Sequence, residues 1–393
     1  MRILHVVPSY LPAWRYGGPI RSVHGLAAAQ AALGHRVEVF TTDADGPERL
    51  AVPTDRPVDR DGVAVHYFRG AFPRRLYRSP ELARACRKRL REFDVAHLHS
   101  VFLLPTRVAA RAARRAGVPY LVAPRGMLVP ELIRGRGRWR KGLWLHLFDR
   151  RTLSRAAAIH VTSRIEGADA ARVVLALPPR EVLPNGIAAE ALTRPTPARP
   201  PCLAPLGEAP YALFLGRLSW KKGLDWLVAA IPLAPPALHW VIAGNDDEGL
   251  TPRLEAQARE LGVAARLHFP GEVHGEEKAA LLGNALALVL PSRSENFGIV
   301  VLESLAAGRP VVVTPGVGLA PEVREGCGLV VEPEPAALAA AVARLHAEPA
   351  AATWMGTTGR ALVAERFTWE AVARKSLTIY EEILARPARR ENG

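Results

Sequence analysis

A chain of 393 residues is long for one domain and sufficient for two, each burying its own core. Its 49% apolar and 23% charged residues describe an ordinary globular protein, and no run nears the roughly 18 apolar residues of a membrane-spanning helix. The formal charge of +14 invites a nucleic-acid reading, but zinc-finger spacing, an RNP-like aromatic strand and a zipper are all missing, so no nucleic-acid partner is expected.

The opening MRILHVVPSY is broken by His5 and Pro8, too short for the apolar core of a signal peptide, and reads as a first strand. Gly17-Gly18 then fall in the loop before a helical pattern near 18–33, where glycine lets backbone approach a ligand closely. The strand patterns RVEVFTT, VAVHYF, DVAHLH, PYLVAP, AIHVTS and EVLPN follow, with helical patterns near 79–92, 105–116, 138–154 and 163–173. Such alternation predicts an α/β protein with parallel sheets wrapped by helices. A proline-dense stretch at 194–210 cannot sit inside a sheet and reads as a linker.

Beyond it come the strand patterns YALFLG, LHWVIAG, RLHFPG, ALALVL, RPVVVT and GLVVE, then helical patterns at 334–346 and 349–366. A last amphipathic helix in FTWEAVARKSLTIYEEILARP carries Tyr380 and Ile383 on its apolar side. The expected domains are therefore 1–193, a linker at 194–210, and 211–366, with a terminal helix and tail at 367–393.

Several side chains in the first half have chemistry to offer. His97 and His99 point the same way by strand alternation, but no third ligand presents itself, so no metal site is predicted. The triplet Asp43-Ala44-Asp45 reads as a solvated loop, and Ser163 with Glu166 as helix caps. Arg125 follows a strand and serves either as a surface arginine or as a contact for an anionic group. The stretch RGRGRWRKGLWLHLFDRR at 134–151 interleaves basic residues with Trp139, Leu143, Trp144, Leu147 and Phe148. That pattern suits a helix lying on an anionic membrane surface and equally one packed on the core. Cys86, Cys202 and Cys327 match no metal or redox spacing and fit a reducing compartment, so the expected location is cytoplasmic, on the membrane's inner face if the basic helix binds lipid.

The second half carries the functional signal. Residues 292–310 read SRSENFGIVVLESLAAGRP, with Glu295 and Glu303 separated by seven residues across a strand, tight turn and helix start. If Glu295 sits at the helix mouth, Glu303 rises roughly 12 Å beyond it. That is too far for two carboxylates flanking one glycosidic bond, but suited to gripping two ends of an elongated ligand. Upstream, Gly216-Arg217-Leu218 and Lys221-Lys222-Gly223 bring a planar guanidinium and an ammonium to one loop, as a diphosphate requires. Lys221 reads as solvated.

These two segments resemble the Glu-x7-Glu and G-R-L-x-x-x-K-G motifs of retaining, GT-B-fold glycosyltransferases of family 4. The resemblance implies two Rossmann-like domains whose parallel sheets face an interdomain cleft, with the C-terminal helix crossing back to the first domain. It implies a nucleoside-diphosphate sugar as donor and a hydroxyl acceptor, lipid-linked or not. Glu295, Arg217, Lys222 and His99 would then be catalytic. Gly17, Gly18, Gly216, Gly244, Asn245, Asn296, the backbone of Phe297, Gly298 and Ile299, and the ribose contact Glu303 would complete the donor site. Arg125 and Asn185 would lie on the acceptor side. No cofactor is required, and a magnesium ion is left open. The absence of G-x-G-x-x-G and Walker motifs removes support for dinucleotide and ATP readings. The alternatives are a GT-B-fold nucleotide-sugar epimerase and a non-catalytic nucleotide-sugar-binding protein.

Overall fold

The computed structural model describes residues 1–13, 18–130, 142–174 and 176–386. The chain divides into two compact units, one formed by Met1–Gly186 with Trp369–Gly393 and the other by Ile187–Thr368.

The first unit holds an eight-stranded sheet. Its strands are β1 (Arg2–Val6), β2 (Arg36–Thr42), β5 (Val58–Arg60), β6 (Val63–Phe68), β7 (Val95–His99), β8 (Tyr120–Ala123), β9 (Ala158–Val161) and β10 (Arg180–Val182). They lie in the order β10-β9-β8-β7-β1-β2-β6-β5, parallel except for β5, which returns antiparallel along β6. The tiny hairpin of β3 (Ala44–Asp45) and β4 (Glu48–Arg49) stands apart. Successive residues feed opposite faces of the sheet, as the two-residue period demands. Ile3, Val37, Val39 and Val95 enter one apolar cluster, while Leu4, Phe40, Ala96 and Leu98 enter another. Helices α1 (Gly18–Ala32), α2 (Pro80–Arg89), α3 (Leu104–Ala116) and α4 (Arg164–Val173) supply covers.

Asp43 departs from the expected solvated loop. It is buried, accepts a hydrogen bond from Gly70 N at 2.8 Å, and lies 3.6 Å from the Arg49 guanidinium. The β3–β4 hairpin brings Arg49 back over it, which a linear reading could not foresee. Of the basic stretch, residues 134–141 fall outside the described residues; in the helical remainder Leu143 and Leu147 are exposed.

The second unit has a six-stranded, all-parallel sheet of β11 (Tyr211–Leu215), β12 (His239–Ala243), β13 (Leu267–Gly271), β14 (Ala287–Leu290), β15 (Val311–Val313) and β16 (Gly328–Val330). The order β13-β12-β11-β14-β15-β16 reverses direction between β11 and β14, where ligands gather in open α/β sheets. Its longer helices are α5 (Leu224–Ala230), α6 (Thr251–Glu260), α7 (Gly275–Asn284), α8 (Ile299–Ala306), α9 (Pro335–Ala347) and α10 (Pro349–Arg366). The 194–210 stretch is part of this unit. Proline keeps it out of the sheet but not out of the core, because a 3-10 turn at Pro201–Leu206 buries Leu203 and Leu206. The division between units falls earlier, after Gly186.

Helix α11 (Trp369–Ala385) returns to the first unit and packs on α1. Its Val372, Ala373, Leu377, Tyr380 and Ile383 join the cluster that contains Ile20, Val23 and Leu26.

Candidate functional site

In the second unit, the loops after β11, β12 and β14 converge by backbone contact. Leu218 N donates to Asn245 O at 2.8 Å and Arg293 N to Lys221 O at 2.7 Å, and Trp220 N reaches the Glu248 side chain at 3.0 Å. Gly216 and Gly244 allow this approach: a Cβ on Gly244, whose φ is +144°, would stand 2.0 Å from the Gly216 carbonyl oxygen. Lys222 donates to Glu295 Oε2, so the structure joins the two motifs read from the sequence in one ion pair. Arg217 is exposed on the same loop. Arg293 braces the next turn, with a bidentate pair to Asp225 at 2.8 and 2.7 Å and its guanidinium 3.7 Å over the Trp226 ring.

Glu295 does not sit at the helix mouth. It precedes α8 by four residues, in a parallel bridge to Val317, with Glu295 N donating to Gly316 O and Gly318 N to Glu295 O. Only four of the eight steps to Glu303 are helical, about 6 Å of rise rather than 12. Gly298, at φ +88°, turns the chain into α8. Phe297 is buried with its side chain in the core, while Ile299 and Asn296 are half-buried. Asn245 is exposed.

Glu303 occupies a separate subsite. Its Oε1 accepts from Lys278 Nζ at 2.8 Å, and its Oε2 is buried without a hydrogen-bond partner. Both residues line a cavity of about 680 Å³ with Thr193, Arg194, Thr196 and Gly275; Lys222 and Glu295 are not part of its lining. Lys278 went unnoticed in the sequence because GEEKAALLG is an ordinary helix start. Only the packing of α7 beside α8 gives it a role.

In the first unit, His99 is buried within a polar network that the sequence only hinted at. His5 Nδ1 lies 3.0 Å from His99 Nε2, and His5 Nε2 lies 2.8 Å from Gln30 Oε1. His97 pairs with the Tyr380 hydroxyl at 2.6 Å and with His160 Nδ1 at 2.9 Å. Burial pushes His5 down to about 4 and holds His97, His99 and His160 well below the usual imidazole range, with Arg125 adding to the shift in each. His5 thus provides the third imidazole that sequence spacing did not reveal: its ligand atoms and those of His97 and His99 lie within 4.8 Å. Each ring nitrogen of the three already has a hydrogen-bond partner, and a guanidinium stands alongside, so a cation there would have to displace satisfied bonds against a positive charge.

Arg125 and Asn185 are brought together, Arg125 Nη1 donating to Asn185 Oδ1 at 3.0 Å. Its Nη2 reaches His99 Nδ1 at 3.4 Å, and its Nε is buried without a partner. Burial pushes the guanidinium down to about 10. The residue takes a left-handed φ of +55°, uncommon for a side chain of this size. Glu166, nearby, is engaged as a cap, accepting from Gly126 N and Thr162 N, both at 2.6 Å, while Ser163 caps α4. Gly18 opens α1, and Gly17 lies outside the described residues.

Residues 209–348 match the family described as glycosyl transferases group 1, and residues 17–186 match the glycosyl transferase 4-like domain. A glycogen synthase of Mycobacterium tuberculosis is 36% identical over 204 residues, covering 51% of this chain and 47% of that protein. A D-inositol 3-phosphate glycosyltransferase of Streptomyces bingchenggensis is 33% identical over 206 residues, 49% of this chain and 45% of the relative. The chain thus spans about half the length of the curated relatives it matches. Among solved structures, Anabaena HepE in complex with UDP superposes with a TM-score of 0.74 at 19% identity, covering 97% of this chain and all of that one. On these matches the chain belongs to the group 1 glycosyltransferase family and has the GT-B fold, built from two Rossmann-like units.

Proposed function

We propose that the protein is a retaining glycosyltransferase that moves a sugar from a nucleoside-diphosphate sugar to a hydroxyl acceptor. Glu303 carries this reading. One carboxylate oxygen is held by Lys278 while the other is buried and unpaired beside a cavity large enough for a nucleoside. A buried acceptor without a donor calls for a ligand hydroxyl, and a ribose supplies two. The UDP bound by Anabaena HepE is of this class.

Arg217 and Lys222 would then meet the charge growing on the leaving diphosphate, a contribution that usually dominates catalysis. Glu295 and the backbone of residues 297–299 would hold the sugar. Glu295 is neutralised by Lys222 rather than poised as a nucleophile, which favours attack on the face the leaving group departs from, with the leaving phosphate taking the acceptor proton. In the first unit, Arg125 is cationic and hydrogen-bonded only to the neutral Asn185 and His99, while the Glu166 carboxylate near it is already engaged by Gly126 N and Thr162, which suits an acceptor bearing phosphate or carboxylate; one relative is named for D-inositol 3-phosphate. Exposed Leu143 and Leu147 beside Arg150 and Arg151 support a peripheral position on an anionic leaflet, and with it a lipid-linked acceptor in polysaccharide or glycolipid assembly.

The test is incubation with a panel of UDP- and GDP-sugars, with and without polyol, phosphorylated polyol and lipid-linked acceptors. Transfer that keeps the donor's anomeric configuration is expected. Turnover of donor alone to an epimer would replace the reading with an epimerase, and binding without turnover would reduce it to a binding protein.

A further inference from the structure

The buried network in the first unit has a direction, and that direction can be worked out from its ends. The Ala373 carbonyl can only accept, so the Ser376 hydroxyl, 2.7 Å away, donates to it. Ser376 Oγ must then accept from Gln30 Nε2 at 2.8 Å, which turns Gln30 Oε1 toward His5. His5 therefore carries its proton on Nε2 and accepts at Nδ1, so His99 donates from Nε2 and offers a lone pair at Nδ1. At the far end stands Arg125, which can only donate. The two ends agree, and no other assignment satisfies every bond. A second arm is fixed in the same way: the Leu183 carbonyl requires a proton on His160 Nε2, so His97 donates to His160 and accepts from the Tyr380 hydroxyl. The arms share one longer hydrogen bond, Gln30 Nε2 to Tyr380 at 3.3 Å, and otherwise meet through ring contact, His97 stacking on His99 with centroids 4.4 Å apart.

We infer that His5 and Gln30 are positioning residues for Arg125. Anchored by Ser376 on α11, they keep His99 neutral with its proton on Nε2, so that the Nδ1 lone pair receives the guanidinium and leaves Arg125 Nε for an anionic group of the acceptor. This rests on the glycosyltransferase reading only for the acceptor. It makes His99 a holder of Arg125 and not a proton acceptor in the reaction, because both of its ring nitrogens are engaged. The Tyr380–His97–His160 arm makes no hydrogen bond to Arg125 and packs beside His99 only through the His97 ring, which gives it a structural task.

Long-range ¹H–¹⁵N spectra of the full-length protein test the first step without any activity. His5 and His99 should both be neutral and Nε2-protonated at pH 6; a proton on Nδ1 of either, or a charged ring, overturns the inference. Gln30→Leu removes the acceptor that orients His5. It should shift the Arg125 side-chain N–H signals, raise the acceptor KM and lower transfer about 10-fold or more, with UDP affinity within about twofold of wild type. Tyr380→Phe cuts the other arm and should leave transfer within about threefold and the Arg125 signals in place. Equal effects of the two substitutions, or an unmoved Arg125 in Gln30→Leu, refute positioning. If the wild-type protein transfers no sugar, the functional reading fails, while the tautomers and the Arg125 signals still decide the network.

Discussion

Replacing Glu303 with Gln separates the nucleotide grip from the rest of the site. The change keeps the shape and removes the charge. Its folding cost should be small: the Lys278 pair has side-chain exposures of 29% and 26%, and such pairs contribute about 0–1 kcal/mol. With the amide oxygen kept on Lys278, the NH2 that replaces Oε2 is as unpartnered as the oxygen was, so that position adds little to the difference. Binding should suffer more, since hydrogen bonds to a charged group contribute roughly 1.5–3 kcal/mol. A loss of about 2 kcal/mol corresponds to about 30-fold in Kd for the nucleoside diphosphate. Titration calorimetry with UDP and GDP on wild type, Glu303→Gln and Glu295→Gln measures this directly. Glu295→Gln should bind the free diphosphate within about threefold of wild type and lose transfer from the intact donor. The assignment of the two carboxylates is refuted if both variants lose product affinity equally, or if Glu303→Gln binds as tightly as wild type.

Arg217→Ala and Lys222→Ala should each lower turnover at saturating donor by about 100-fold or more, the roughly 2.7–4 kcal/mol typical of a lost preorganised charge contact; near-normal rates in both remove the diphosphate assignment. Gly244→Ala should lower stability by about 3 kcal/mol in urea titration, because its Cβ would meet the Gly216 carbonyl oxygen at 2.0 Å and its φ of +144° disfavours any side chain. Asp149 is buried with Oδ2 accepting from Phe102 N at 2.7 Å, and burial pushes its carboxyl up to about 6. A raised folded value means stability is fully present below the unfolded value near 4 and lost as pH rises through 6, so Asp149→Asn should stabilise the protein by about 3 kcal/mol at pH 7 and not at all near pH 3.5. Equal melting curves of the two proteins at pH 7 would count against it. Leu143→Ser with Leu147→Ser should release the protein from anionic vesicles at low salt without altering UDP affinity; the membrane reading goes if wild-type protein ignores such vesicles.

The amino-acid sequence by itself determined the alternation of strands and helices, because buried parallel strands such as ALVL at 287–290 leave an apolar run that few other structures tolerate. It also determined the motifs around Glu295 and Lys222, whose residue types are dictated by the charge of the ligand they resemble a site for. It missed the short strands β3–β5, where two or three residues carry no period, and it misread 194–210, because proline content reports exclusion from a sheet and not exclusion from a core. Tertiary structure alone decided the rest. Lys278 meets Glu303 only because α7 packs beside α8, and Asp43 is buried only because a hairpin returns Arg49 across it. His5, Gln30, His99 and Ser376 are scattered over more than 370 positions of sequence, and they meet because β1, β7, α1 and α11 share one unit. Local pattern encodes which face of an element is apolar; which polar atoms end up sharing a buried space depends on how the elements pack, and no spacing along the chain records it.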